Sequence, residues 1–210
     1  MPAANRRRTN PETRRDELVD AARKVFALKG VAGSTVSDIV KAADVAQGTF
    51  YLYFKAKGDI VNAVVEQIGD ELIDAIERSV RASEGGAVAR LRAFSDILVA
   101  AVSDPAVKEL AELFHLPGNR PAHDRLAERF LPRIAPLVEE IVRQGIAEDA
   151  FTAEDPRGAA WFVLGGLHAL ETAFTRDELS TAIGDATTLA LRALGCVAPT
   201  ETPTGSHNVG

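Results

Sequence analysis

Apolar residues recur along most of this chain every three to four positions, and no segment alternates with the period of two that a half-buried strand requires. Leu18, Ala21, Ala22, Val25 and Phe26 form the first stripe. Asn10-Pro11 opens its helix with a capping residue and a proline at the first helical position, and Gly30 stops it. Thr35, with Asp38 three residues later, is a capping box that opens a second, short helix with Val36, Ile39, Val40 and Ala43 on its buried side. Asp44-Val45 turns the chain tightly into a third helix over about 46–53. A longer fourth helix starts near Lys57, carries Val61, Val64, Ile68, Leu72 and Ile76 on one face, and ends before Gly85-Gly86.

The remainder is helical as well. Leu91, Phe94, Leu98 and Val102 mark a fifth helix, and Asp104-Pro105 caps a sixth with Leu110, Leu113 and Phe114. After a loop at Pro117, Gly118 and Pro121, a long segment over about 123–145 holds Leu126, Phe130, Ile134, Val138 and Ile141. Pro132 and Pro136 interrupt it, which predicts a kink or a break. Asp155-Pro156 opens the next helix, running to about Phe174. Thr175 with Glu178 caps the last one, lined by Leu179, Ala182, Ile183, Ala186, Leu189, Ala190 and Leu194 and stopped by Gly195. The pattern predicts an all-α fold of about nine helices. A basic arm spans 1–10, a three-helix unit 11–56, a helical bundle 57–196 and a disordered tail 197–210.

Composition is that of a globular protein, with 46% hydrophobic and 26% charged residues in 210. No apolar run approaches the ~20 residues of a membrane span, and the N-terminus lacks a signal peptide's apolar core. Cys196 is the only cysteine and has no internal partner. These features predict a cytoplasmic protein without a membrane partner. The net charge of −6 is unevenly spread: residues 1–60 hold 11 Lys/Arg against 7 Asp/Glu, and the rest 13 against 23. Only the first segment suits a polyanion.

Two short helices joined by a tight turn, after a longer amphipathic helix, are the layout of a DNA-binding helix-turn-helix. The second short helix would enter the major groove. From Thr13 to Ile60 the residues strengthen this. Arg14, Ala21-Ala22, Phe26, Gly30, Thr35, Asp38-Ile39, Ala43, Val45 and then Gly48-Thr49-Phe50-Tyr51-Leu52-Tyr53-Phe54 with Lys57 resemble the signature of the TetR family of bacterial transcriptional regulators. The resemblance covers about a quarter of the chain. It implies a DNA-binding regulator, most often a repressor of a pseudo-palindromic operator, released by a small molecule. A transcriptional activator of the same fold and a non-enzymatic helical interaction protein are the alternatives.

Under that resemblance the DNA-facing residues are Arg6, Arg7 and Arg8 of the arm with Thr35, Ala46, Gln47, Gly48, Thr49, Tyr51, Tyr53 and Lys57. Gly48 permits close approach to the backbone, Thr49 offers a hydroxyl and a methyl, and Tyr51 and Tyr53 offer phenols. Lys57 with the free amides of a helix start suits a phosphate. Phe50 and Phe54 are mini-core. Asp44 stands where the family usually has glycine, Ala46 where it usually has serine, and Gln47 at a position often basic, where it can pair with adenine.

In the acidic part, Gly165-Gly166 in mid-helix calls for close helix packing. With Ala169, Ala182, Ala186, Leu189 and Ala190 they are candidates for a homodimer interface, as the family's final two helices imply, with packing inside one chain as the alternative. Phe94, Phe114, Phe130 and Trp161, with His168 and Glu171 as polar groups, are candidates to line a pocket for an unknown small effector. Ordinary core explains the aromatics equally well. His168 and Glu171 stand three apart, a spacing open to metal binding, a solvated pair or pocket lining. No Gly-rich phosphate loop, nucleophile elbow, zinc spacing or paired catalytic carboxylates occur, so neither enzyme activity nor a cofactor is expected.

Overall fold

Eight α-helices and no strand make up residues 11–104, 107 and 120–196, the part of the chain that the computed structural model describes. They are α1 (Pro11–Gly33), α2 (Val36–Ala42), α3 (Gln47–Tyr53), α4 (Lys57–Ala82), α5 (Ala87–Ser103), α6 (Arg120–Ala147), α7 (Pro156–Ala173) and α8 (Arg176–Ala193). The helix expected around Leu110, Leu113 and Phe114 lies outside the described residues, as do Arg6, Arg7, Arg8 and the 197–210 tail. At its expected start, the Asp104 carboxylate accepts the Val107 amide at 3.4 Å.

The chain divides into two compact units, residues 1–74 with 101–130 and residues 75–100 with 131–210. The first unit is built on the stripe of α1. Leu18, Ala22 and Phe26 are sealed against Ile39 of α2, Phe50 and Phe54 at α3, and Ile60, Val64 and Val65 of α4. Full burial of each Leu, Ile or Phe here contributes about 1.5–3 kcal/mol. Because α4 supplies part of this core, the unit runs past the boundary expected at Lys57. The Cβ of any residue replacing Gly69 in α4 would stand 2.1 Å from the Phe130 ring of α6. Beside it, Arg129 reaches Glu66 at 3.0 Å and Asp70 at 3.8 Å.

Gly30 breaks α1 before its end, at φ 71° and ψ 158°. That conformation is nearly exclusive to glycine and differs from the left-handed helical cap that the sequence suggests. The break frees carbonyls near the end of α1. Ser34, itself buried, donates its hydroxyl to the Gly30 carbonyl and to that of Val31 at 3.1 Å.

In the second unit Leu91 and Phe94 of α5, Val138, Ile141 and Val142 of α6, Leu164 of α7 and Ile183 and Leu194 at α8 are buried. Thr187 donates to the Ile183 carbonyl at 2.8 Å, which leaves the Ser95 hydroxyl to donate to Thr187 at 2.5 Å. Glu148 caps α5 by accepting the Ala87 amide at 2.8 Å, a bond that lowers its carboxyl pKa. Asp155 caps α7 through the Arg157 amide at 3.1 Å, ahead of Pro156. Gly195 ends the run after α8 with φ 84°.

Of the kink or break expected at Pro132 and Pro136, the break does not occur. Helix α6 runs without a break from Arg120 to Ala147, with Pro132 and Pro136 inside it. Both prolines are exposed, as is Glu128 one turn before the first, so the carbonyls that lose an N–H partner are open to water.

Candidate nucleic-acid interface

The helix-turn-helix is built locally. Thr35 caps α2 by accepting the Asp38 amide at 3.1 Å, and the Asp38 carboxylate accepts the Thr35 amide at 3.0 Å and its hydroxyl at 2.7 Å. Lys29 reaches the same carboxylate at 2.6 Å. These contacts, Lys29 first, lower the Asp38 pKa to about 2. The turn depends on Asp44 at φ 53°, a left-handed geometry that aspartate tolerates, with the Val45 amide closing onto the Val40 carbonyl at 3.0 Å. Aspartate therefore serves where the family usually has glycine. Ala46 then occupies the N-cap of α3 without a side-chain bond, as a missing serine hydroxyl requires.

Helix α3 has two sides. Phe50 is fully buried, and its ring lies 5.5 Å from that of Phe54, over which the Arg15 guanidinium sits at 5.4 Å. Thr49 is half-buried and Tyr53 packs onto the core. On the other side Gln47, Gly48, Tyr51 and Leu52 are exposed, in two pairs four residues apart, so they share one outward face. A Cβ at Gly48 would meet nothing within 4 Å. This ribbon is anchored by one buried phenylalanine and faces solvent along its length.

The Lys57 ammonium, a predicted phosphate ligand, has partners inside the protein. It donates to the Val31 carbonyl and, at 2.6 Å, to that of Ser34, where a cation meets the end of α1. The amides of Lys55 and Ala56, just before α4, donate to the Asp59 carboxylate at 2.8 and 3.0 Å. The Thr35 hydroxyl is likewise committed to Asp38. Lys55 and Leu52, both exposed, are the residues that sequence reasoning missed on this side. The signal for Leu52 was its place four residues after Gly48; an apolar residue in a motif reads as core by default.

The candidate pocket residues are divided between the two units. Phe94 is sealed in the core, whereas Trp161 (40% exposed) and Glu171 lie open. His168 Nδ1 lies 3.7 Å from Glu171 Oε2, a contact one turn along α7. Phe130 belongs to the first unit, against Gly69, and Phe114 lies outside the described residues.

The candidate dimer residues divide. Gly165, Gly166 and Ala169 are exposed, and Cβ atoms at the two glycines would touch nothing within 4 Å, so packing among the described residues does not account for the two glycines. Leu189 is exposed, and Phe162, absent from the expected set, is 68% exposed. Ala182 and Ala190 are instead buried, and Ala186 half-buried. The small-residue stripe of α8 packs inward with Leu179 and Ile183, because it lies on the same helical face as they do.

Comparison with known proteins agrees with this geometry. The sequence profile described as "Bacterial regulatory proteins, tetR family" matches residues 18–64. The HTH-type transcriptional regulator YvdT of Bacillus subtilis is 38% identical over 69 residues, 33% of this chain and 36% of that protein. The HTH-type transcriptional repressor KstR2 of Mycolicibacterium smegmatis is 38% identical over 64 residues, 30% of this chain and 31% of that one. The chain thus spans about a third of the length of these curated relatives. Among solved structures, a TetR-family regulator from Pectobacterium atrosepticum superposes with a TM-score of 0.70 at 22% identity, over 92% of this chain and all of the other. RolR in complex with resorcinol gives 0.63 at 21% identity, covering 89% of both chains. These structural likenesses show a shared fold, and the sequence matches fall on the helix-turn-helix: residues 18–64 carry the signature of the tetR family of bacterial regulatory proteins.

Proposed function

We propose that this chain is a transcriptional repressor that binds a pseudo-palindromic operator as a homodimer and lets go of it when a small molecule binds. The observation that carries the reading is the outward ribbon of α3, in which Gln47, Gly48 and Tyr51 are exposed while Phe50 fixes the helix to the core. Gln47 is free to pair bidentately with adenine, and Gly48 lets the helix sink into the groove. The Tyr51 phenol, Lys55 and the Arg6–Arg8 arm grip phosphate. The acidic second unit supplies the second copy's docking face through Phe162, Gly165, Gly166, Ala169 and Leu189. KstR2 is by name a repressor and RolR binds resorcinol; both lend support to repression relieved by a small effector. Helix α4 contributes residues to both units, which makes it the element through which an effector acts on the reader. Such a protein works in the cytoplasm, where the chromosome is.

The test is selection from a random duplex library by the full-length chain, followed by titration of the enriched duplex at rising salt. A selective complex whose affinity falls steeply with salt supports the reading. Enrichment of no sequence refutes it.

A further inference from the structure

Leu52 is an exposed aliphatic side chain on a helix whose Phe50 is turned inward. It is 79% exposed, whereas Phe50 two residues earlier is fully buried. Scattered apolar residues on a surface need no explanation; this one stands on the face that carries Gln47, Gly48 and Tyr51. In an α-helix each side chain leans toward the N-terminus and covers the turn before its own Cα. For Leu52 that turn holds Gly48, which has no side chain and open space in front of it. The isobutyl group therefore lies along a strip left clear by the glycine, flanked by Gln47 and Tyr51.

The major groove offers one apolar group to such a side chain, the 5-methyl of thymine; the other base-edge groups are polar. We propose that Leu52 packs against a thymine methyl in each operator half-site and so sets the base at that position, an inference that rests on the DNA-binding function proposed above. Cytosine there would present its amino group to a side chain that cannot accept a hydrogen bond, leaving a donor desolvated. The mechanism differs from that of Gln47, which discriminates by hydrogen bonding. It makes the operator readable by methyl content.

The experiment uses the full-length chain and its selected duplex, with each thymine replaced singly by deoxyuridine, which removes the methyl and keeps the pairing. The wild type should bind about fourfold more weakly when one particular thymine is replaced in a single half-site, and about fifteenfold more weakly when its counterpart in the other half-site is replaced as well, the ratios expected for one and two buried methyl groups. Leu52→Ala should lose that sensitivity at this position only, and Leu52→Met, still apolar and of similar length, should keep it. Selective binding with the same deoxyuridine profile in wild type and Leu52→Ala would overturn this inference and leave the DNA-binding function standing. Failure to select any duplex would overturn both.

Discussion

The Lys57 ammonium lies 2.6 Å from the Ser34 carbonyl oxygen and also bonds that of Val31. The first residue of α4 is thereby fastened to the end of α1. Carbonyls there need partners because Gly30 breaks the helix, and the positive charge sits at the negative end of the helix dipole. With Ser34 returning its hydroxyl to Gly30, the end of α1, the entry to α2 and the start of α4 form one hydrogen-bonded piece.

Replacing Lys57 should therefore act on stability first. Lys57→Ala is expected to lower the unfolding free energy by about 1–2 kcal/mol, the lower part of the range for charged hydrogen bonds because the ammonium is only half-buried. The dependence of log affinity for DNA on log salt should keep its slope. A slope shallower by about 0.9 would mean that a phosphate contact had been lost instead.

Two glycines of the first unit should respond oppositely to alanine. Gly30→Ala forces a side chain into a conformation nearly exclusive to glycine and should cost about 1–3 kcal/mol in urea unfolding. Gly48 is helical with open space around it, so Gly48→Ala should leave stability unchanged or raise it by up to about 1 kcal/mol. Its DNA affinity should fall, because the added methyl stands between helix and groove. Parallel unfolding and binding titrations of the two variants check this.

The capping box of α2 makes a specific pH signature. The Asp38 pKa is lowered to about 2 from an ordinary 3.8 by Lys29 and Thr35, so its contribution to folding is complete above the ordinary value and disappears as pH falls through about 2. Urea midpoints of wild type and Asp38→Asn, measured between pH 5 and pH 2, should differ most at pH 5 and converge on acidification. A constant difference would show that the carboxylate charge contributes nothing.

Much of this was legible because it is local. The box of Thr35 and Asp38 spans three residues, the turn at Asp44 needs only its own φ, and the stripe from Leu18 to Phe26 has one period. Other contacts depend on distant partners. Lys57 bonds carbonyls 23 and 26 positions earlier, exposed by a backbone break whose geometry a glycine permits but does not announce. Pro132 and Pro136 were expected to interrupt α6, but their cost depends on exposure, which periodicity does not give. Ala182 and Ala190 lie on an apolar stripe that packs inward. A stripe shows that a face is covered without showing by what.

The exposed face of α7 gives the proposed dimer a direct handle. Phe162→Glu places a charge on a side chain that is already 68% exposed in one chain, so folding should be retained. Sedimentation should show a shift from dimer to monomer, and operator affinity should drop with it. A dimer that survives the charge would move the interface elsewhere.

Footprinting of the full-length chain on its selected duplex tests the central claim most directly. Two recognition helices related by a two-fold axis should protect two symmetric half-sites, centred one helical turn, about 34 Å, or a multiple of it apart. Gly48→Ala should weaken both together. Protection of a single isolated half-site by a monomer, or uniform protection without sequence preference, would contradict the account.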